Sequence, residues 1–321
     1  MSSIDGSSLL VSGSASTGPS SPKPSNSYGA ELDAQQKRDR HKRIGLKVVG
    51  YTILILAALV YILPFVLSAI SSFKTDADIS KNPVSFSFSR SLGSPSLEGI
   101  RGLDRDSITF PRWALNSIFV TTVVVFGRLC LASFGGYALA RMQFRGKKWF
   151  FSIILLVLGI PHIVLAIPQF IVLKQMNILN TYWAMILPML FDCADLLVMK
   201  QFMEQIPKEM EESAAIDGAT RFQTFRTIIL PMAAPGLLTL LILRTVGVWN
   251  EFLKVLIAVP AAPELRTLPV GLSSLQGEFG SSTPWASILS GAMLTTIPMA
   301  ILFFVFQRYF RAGLSSGAVK G

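Results

Sequence analysis

Charge is scarce in this chain, and so are cysteine and histidine. Only 15% of its 321 residues are charged, 51% are hydrophobic, and the mean hydropathy is +0.51. A soluble domain of this size needs more charge to cover its surface, so the composition points to an integral membrane protein. The two cysteines, Cys130 and Cys193, both lie inside apolar runs, which suits packing and leaves no disulfide framework. His41 and His162 are too far apart to form a metal-binding pair in sequence. The phosphate-cradling pattern GxxxxGKS/T is missing, because Gly146-Lys147-Lys148 lacks the upstream glycine. The chain is therefore not expected to hydrolyse ATP itself. A single DxxD, Asp192 and Asp195, without a second acidic cluster argues against a membrane enzyme that holds a Mg2+-diphosphate.

Long apolar runs are what the sequence does have. About 20 apolar residues are needed to cross the hydrocarbon core. Six stretches qualify: 45–70, 113–140, 149–173, 181–203, 233–258 and 285–309. They are continuous and do not alternate, which predicts helices and excludes a strand barrel. The net charge of +10 is explained by where the bases fall. Lys37, Arg38, Arg40, Lys42, Arg43 and Lys47 surround the start of the first run, and Arg141, Arg145, Lys147 and Lys148 separate the second and third. Lys208, Arg221 and Arg226 lie between the fourth and fifth, and Arg308, Arg311 and Lys320 follow the sixth. Basic loops stay in the cytoplasm, so both termini are predicted there and nucleic acid is not the expected partner. Residues 1–43, rich in Ser, Gly and Pro at their start, are expected to be a disordered cytoplasmic tail. The tail has no apolar core of the signal-peptide kind.

One charged stretch interrupts the grease: "EESAAIDGATRFQTFRTIILP", residues 211 to 231. Pro207 suits a helix start, and Glu209, Glu211 and Glu212 complement the positive end of a helix dipole. Ile206, Met210 and Ala214 recur every four residues, and Asp217-Gly218 predicts a left-handed stop. Thr220 with Gln223 forms a capping box that opens a second helix, with Phe222, Phe225 and Ile229 as its apolar stripe and Pro231 as its end. Two short amphipathic helices at the cytoplasmic surface can rest on lipid headgroups or dock onto a protein. The acidic first helix and its small apolar face favour docking.

The order Glu212, Ser213, Ala214, three residues, Gly218, nine residues, Ile228, one residue, Leu230-Pro231 resembles the EAA motif of permease subunits of binding-protein-dependent ABC importers. Serine replaces the first alanine. The similarity runs from about Ile44 to the C-terminus. The segments "GGYALARMQFRGKKWFF", "VWNEFL", "RTLPVGL" and the closing "GAVKG" resemble the carbohydrate-uptake, maltose-type branch. The resemblance implies an all-α, multi-pass cell-membrane protein of the type I importer permease fold: a six-span domain over residues 44–321 with cytoplasmic coupling helices over 205–231. It implies a permease that is not itself an enzyme and has no cofactor of its own, with ATP and Mg on partner subunits. The implied partners are a second permease, two ATP-binding subunits, an extracytoplasmic solute-binding protein and membrane lipid. It also assigns ATPase coupling to Glu211, Glu212, Ser213, Ala214, Asp217, Gly218, Ala219, Phe222, Phe225, Ile228, Leu230 and Pro231. A sugar is the implied solute, with a polyol or glycerol phosphate as the alternative.

Ionisable groups within spans each cost about 2.5–3.5 kcal/mol on the translocon scale, so they should face protein or a wet cavity. Arg128, Asp192, Asp195 and Arg244 are the clearest cases, with Lys254 a further one. Asp192 and Asp195 are one turn apart. They form either an internal ion pair with Arg128 or Arg244, or a proton relay of a secondary transporter; the pairing is favoured because opposite charges are at hand. Trp249, Asn250 and Glu251 combine an aromatic face with amide and carboxylate groups, the chemistry that binds sugar hydroxyls, and the resemblance places them on the substrate path. An interfacial tryptophan anchor is the plainer reading of that triplet.

Overall fold

The computed structural model describes residues 27–82, 95–103, 109–278 and 283–317, with side chains for those between 44 and 307. Its described elements are helical. In chain order they are α1 (Ser27–Ser71), α2 (Asp76–Lys81), α3 (Glu98–Gly102), α4 (Phe110–Arg141), α5 (Lys147–Leu158), α6 (Ala166–Gln175), α7 (Tyr182–Ile186) and α8 (Cys193–Glu204). There follow α9 (Glu209–Ile216), α10 (Arg221–Thr224), α11 (Leu230–Met232), α12 (Ala234–Trp249), α13 (Leu253–Ala258), α14 (Leu268–Glu278) and α15 (Trp285–Gly317). Short 3-10 turns precede α6 and follow α7, and a π turn, Phe225–Ile229, joins α10 to α11.

The chain divides into two units, residues 1–63 and 64–321. In the first, α1 begins at Ser27, inside the stretch expected to be disordered. The reason lies in "ELDAQQKRDRHKR", where proline is absent and most residues are good helix formers. The remainder of the expected tail, residues 1–26, lies outside the described residues, as do 83–94, 104–108, 279–282 and the closing 318–321.

Three helical stretches are individually long and apolar enough to cross a membrane: Ile44–Ser71, Phe110–Arg141 and Trp285–Gln307. The other three predicted runs are not single long helices: the third and fourth are bent within, and the fifth, 233–258, is split into α12 and α13 and meets the helix before it at an angle. Lys147–Leu158 and His162–Gln175 meet at 93°, Tyr182–Met189 and Cys193–Glu204 at 45°, and Arg221–Met232 and Ala234–Trp249 at 69°. Counting each bent pair as one span gives up to six. The first bend falls at Gly159–Pro161, where a proline after a glycine ends one helix. Pro168 does not bend α6, since it sits in the first turn, where an N–H has no intrahelical partner anyway. Pro231 likewise fails to end the helix that carries it. The wide π turn before it accommodates the missing N–H, and the bend comes two residues later, at Ala233.

In the second unit, α8 packs along α4. A Cβ at Gly136 would lie 2.7 Å from that of Met199, so glycine is what lets these two helices approach. Around this contact lies a core of Ala132, Tyr137, Met199, Met203, Phe225 and Ile229 at one end. Val120, Val124, Met185, Met189 and Val255 form a second.

Candidate functional site

The charged interruption folds as a helix, a tight turn and a second helix. α9 ends in a Schellman motif: Gly218 N–H donates to the Ala215 carbonyl (3.1 Å) and Ala219 N–H to the Ala214 carbonyl (2.9 Å). Gly218 has φ +79°, the left-handed conformation that glycine adopts without penalty. Two residues later the capping box is complete: Gln223 N–H donates to Thr220 Oγ1 and Thr220 N–H to Gln223 Oε1 (2.8 Å). The turn's direction is thus determined by backbone hydrogen bonds within a few residues. α9 itself starts at Glu209, two residues beyond Pro207.

The predicted apolar stripes divide between two faces. Ala214, Phe225 and Ile229 are buried, and the Phe225 ring sits against Tyr137 (4.9 Å between centroids) and Phe134 (5.3 Å) of α4. Ala219, Ile228 and Leu230 are half-buried. Met210, Ile216 and Phe222 point outward, at 42%, 87% and 60% exposure. Glu212, Ser213 and Asp217 share that open side, and Pro231 is exposed as well. The result is a small outward-facing surface with two prominent apolar side chains, Ile216 and Phe222, among carboxylates.

Arg141, the last residue of α4, anchors this element. Its Nη2 donates to the carbonyls of Met203 (2.7 Å) and Ile206, at and just beyond the end of α8. Its Nε lies 3.0 Å from Glu211 Oε1 in α9, a charge contact without hydrogen-bond alignment. One guanidinium therefore joins α4, two carbonyls at and beyond the end of α8, and the acidic helix. In sequence Arg141 is indistinguishable from a loop base that follows a span.

Further along the bundle, the four span charges meet. Arg128 Nε donates to Asp195 Oδ2 (2.7 Å), Arg128 also pairs with Asp192, and Arg244 pairs with the other oxygen of Asp195. Asp195 is 2% exposed and Arg128 8%. Asp192 also acts as a helix cap, its Oδ1 accepting from Ala194 N–H (2.9 Å) at the start of α8, where the 45° bend falls. Beside this quartet lies a cavity of about 230 Å³, whose polar lining comes from Arg128, His162, Gln169, Asp192, Arg244, Glu251 and Lys254. Of the sequence triplet, only Glu251 lines it. Trp249 is 4% exposed, packs among Trp113, Leu268 and Leu272, and donates to the Thr295 carbonyl. Asn250 is exposed, and its amide donates to the Val246 carbonyl at the end of α12 (2.8 Å). Gln169 carried no sequence signal, since an isolated glutamine in an apolar run has no pattern. Among the described residues no three His, Cys, Asp or Glu side chains are grouped as metal ligands.

Long apolar helices, bent helix pairs and an exposed two-helix element define a helical membrane protein with a structured element outside its apolar runs. Residues 129–316 match the family described as "Binding-protein-dependent transport system inner membrane component", and the chain belongs to it. The arabinooligosaccharides transport system permease protein AraQ of Halalkalibacterium halodurans is 32% identical over 86% of this chain and 96% of its own length. The trehalose/maltose transport system permease protein MalG of Thermococcus litoralis is 32% identical over 87% of this chain and 98% of its own. The fold is also that of a chain in the crystal structure of a bacterial ABC transporter that imports the acidic polysaccharide alginate. There the TM-score is 0.72 at 22% identity, covering 84% of this chain and 98% of that one. The protein is thus an ABC importer permease that resides in the membrane and works with an ATPase and a solute-binding protein, and it is a transport rather than a catalytic subunit.

Proposed function

We propose that this chain forms half of the translocation path of an ATP-driven importer for a saccharide, and that α9 and α10 are its coupling element. The observation that carries the coupling role is the outward-facing pair Ile216 and Phe222, on a two-helix element whose opposite side is packed onto α4 through Phe225 and tied to it by Arg141. Exposed apolar side chains among carboxylates suit a groove on a protein better than an anionic lipid surface. Both relatives named above are oligosaccharide permeases by their names, which supports a saccharide as solute. The distribution of Lys and Arg supports cytoplasmic termini, and with them a cytoplasmic α9 and α10. In the complete transporter the chain pairs with a second permease subunit, two ATPases that carry ATP and Mg, and an external binding protein. Closure of the ATPases moves α9 and α10, and the motion reaches the bent helices through α4 and α8. A proton-driven carrier is disfavoured, because both carboxylates of the quartet are engaged by arginines.

Gly218→Val tests the coupling role. A β-branched residue at φ +79° is strained by about 1–3 kcal/mol, which should tilt the two short helices relative to each other. No other residue lies within 4 Å of the added Cβ, so the spans themselves are not disturbed. The expected outcome is normal accumulation in membranes with lost ATPase retention, or hydrolysis that no longer responds to the loaded binding protein. Full retention with normal stimulation would refute the assignment, and Lys208→Ala serves as the surface control.

A further inference from the structure

We infer that the cavity beside α8 and α12 is a subsite for one uncharged, polyhydroxylated ring, and that its charge balance selects against acidic and basic solutes. The charged groups at and behind its wall are Arg128, Arg244 and Lys254 against Asp192, Asp195 and Glu251. They cancel. A solute bearing a net charge would give up water against this wall without gaining a counter-charge, and that desolvation is costly. A neutral solute meets no such barrier but must find partners for its hydroxyls, each of which donates and accepts.

The groups not consumed by the quartet supply such partners. Arg244 spends its Nε on Asp195, which leaves its terminal nitrogens available. The Lys254 ammonium makes no hydrogen bond or ion pair among the described residues. Glu251 accepts the Lys254 backbone N–H with one oxygen (3.1 Å), leaving the other as an acceptor. Gln169 lines the cavity, and its amide nitrogen meets no acceptor among the described residues. An amide donor, a cation and a carboxylate around one space match the alternating donors and acceptors of vicinal hydroxyls. A volume of about 230 Å³ suits a single sugar ring, so a longer saccharide would pass one unit at a time. Glycerol phosphate, a diffuse dianion, fits this balance poorly.

The test uses the complete transporter in nanodiscs without its binding protein, so that selection upstream does not mask the cavity. Thermal stabilisation is measured with glucose, glucuronate and glucosamine, three rings of nearly one shape that differ in charge. Glucose should stabilise best, and Gln169→Leu should weaken its effect. Glu251→Gln leaves one excess positive charge and should shift the glucuronate-to-glucose affinity ratio by about tenfold or more. Lys254→Met should shift the glucosamine ratio in the same sense. Two variants of opposite sign outside the ion-pair quartet keep the result readable if one fails to assemble. The inference is overturned if the native transporter prefers glucuronate or glucosamine, if none of the three rings stabilises it, or if the charge variants leave the affinity ratios unchanged. It rests on the saccharide-permease reading, which is tested separately: that reading fails if no saccharide stabilises the transporter's isolated solute-binding protein, whatever the cavity variants do.

Discussion

The two-helix element and the ion-pair quartet both keep polar groups in a mostly apolar protein, by opposite means. In the element, geometry comes from backbone hydrogen bonds within a few residues, and the side chains of Ile216 and Phe222 are left free to meet a partner. In the quartet, side chains from α4, α12 and the start of α8 compensate each other, and each carboxylate is engaged by an arginine. Water can solvate an imperfect surface turn. It cannot rescue an unpaired charge between helices, so the second arrangement has to be completed by tertiary contacts.

The comparison breaks most severely at Asp195. Asp195→Ala leaves Arg128 with only Asp192 and Arg244 with no carboxylate. Breaking a buried pair in this way costs about 3–5 kcal/mol, so the protein should accumulate poorly, as measured by its level in membranes and its thermal unfolding. Replacing Asp195 and Arg244 together by a similarly sized apolar pair should restore part of the loss, because it removes the orphaned charge as well.

Arg141 is the joint between the two regimes and should give an intermediate effect. Arg141→Ala releases the Ile206 carbonyl and Glu211 and leaves the Met203 carbonyl with its backbone donors only, a loss of about 1–3 kcal/mol. Transport and stimulated hydrolysis should fall in parallel while the protein still inserts. Glu211→Gln should be milder, since it leaves both carbonyl contacts in place. Equal effects from the two variants would mean that the ion pair, and not the carbonyl grip, holds the element.

The smallest change belongs to the local turn. Thr220→Ala removes the side chain that accepts from Gln223 N–H, at about 1 kcal/mol. α10 is solvent-exposed at this cap, so membrane levels should be unchanged and ATPase stimulation only modestly reduced. A loss as large as that of Gly218→Val would show that the second helix, and not the glycine turn, limits coupling.

What could be read in advance follows the range of the interactions. The capping box at Thr220 and Gln223 and the glycine stop at Gly218 were legible because each is decided within about four residues. The outward turn of Phe222 was not, since a stripe at helical spacing does not say which of its members a neighbouring helix covers. That choice belongs to Tyr137 and Phe134, more than 80 positions away in the chain. Trp249 shows the same limit. An aromatic beside Asn250 and Glu251 reads as a sugar platform, yet its ring is buried against α14 and its indole N–H is taken by Thr295.

The sequence alone determined that this is a membrane protein with long apolar helices interrupted by one charged two-helix element, because apolar length and terminal capping are local properties of the chain. The tertiary structure decided where the apolar runs bend or meet their neighbours at an angle, and which charges cancel. It also decided which single guanidinium joins the element to the bundle. Arg128 and Asp195 are 67 positions apart, Arg244 and Asp195 are 49, and Arg141 reaches Ile206 across 65. No local pattern selects among such partners. They are chosen by the close approach of α4 to α8 and by the cost of leaving any of these charges alone in an apolar surrounding.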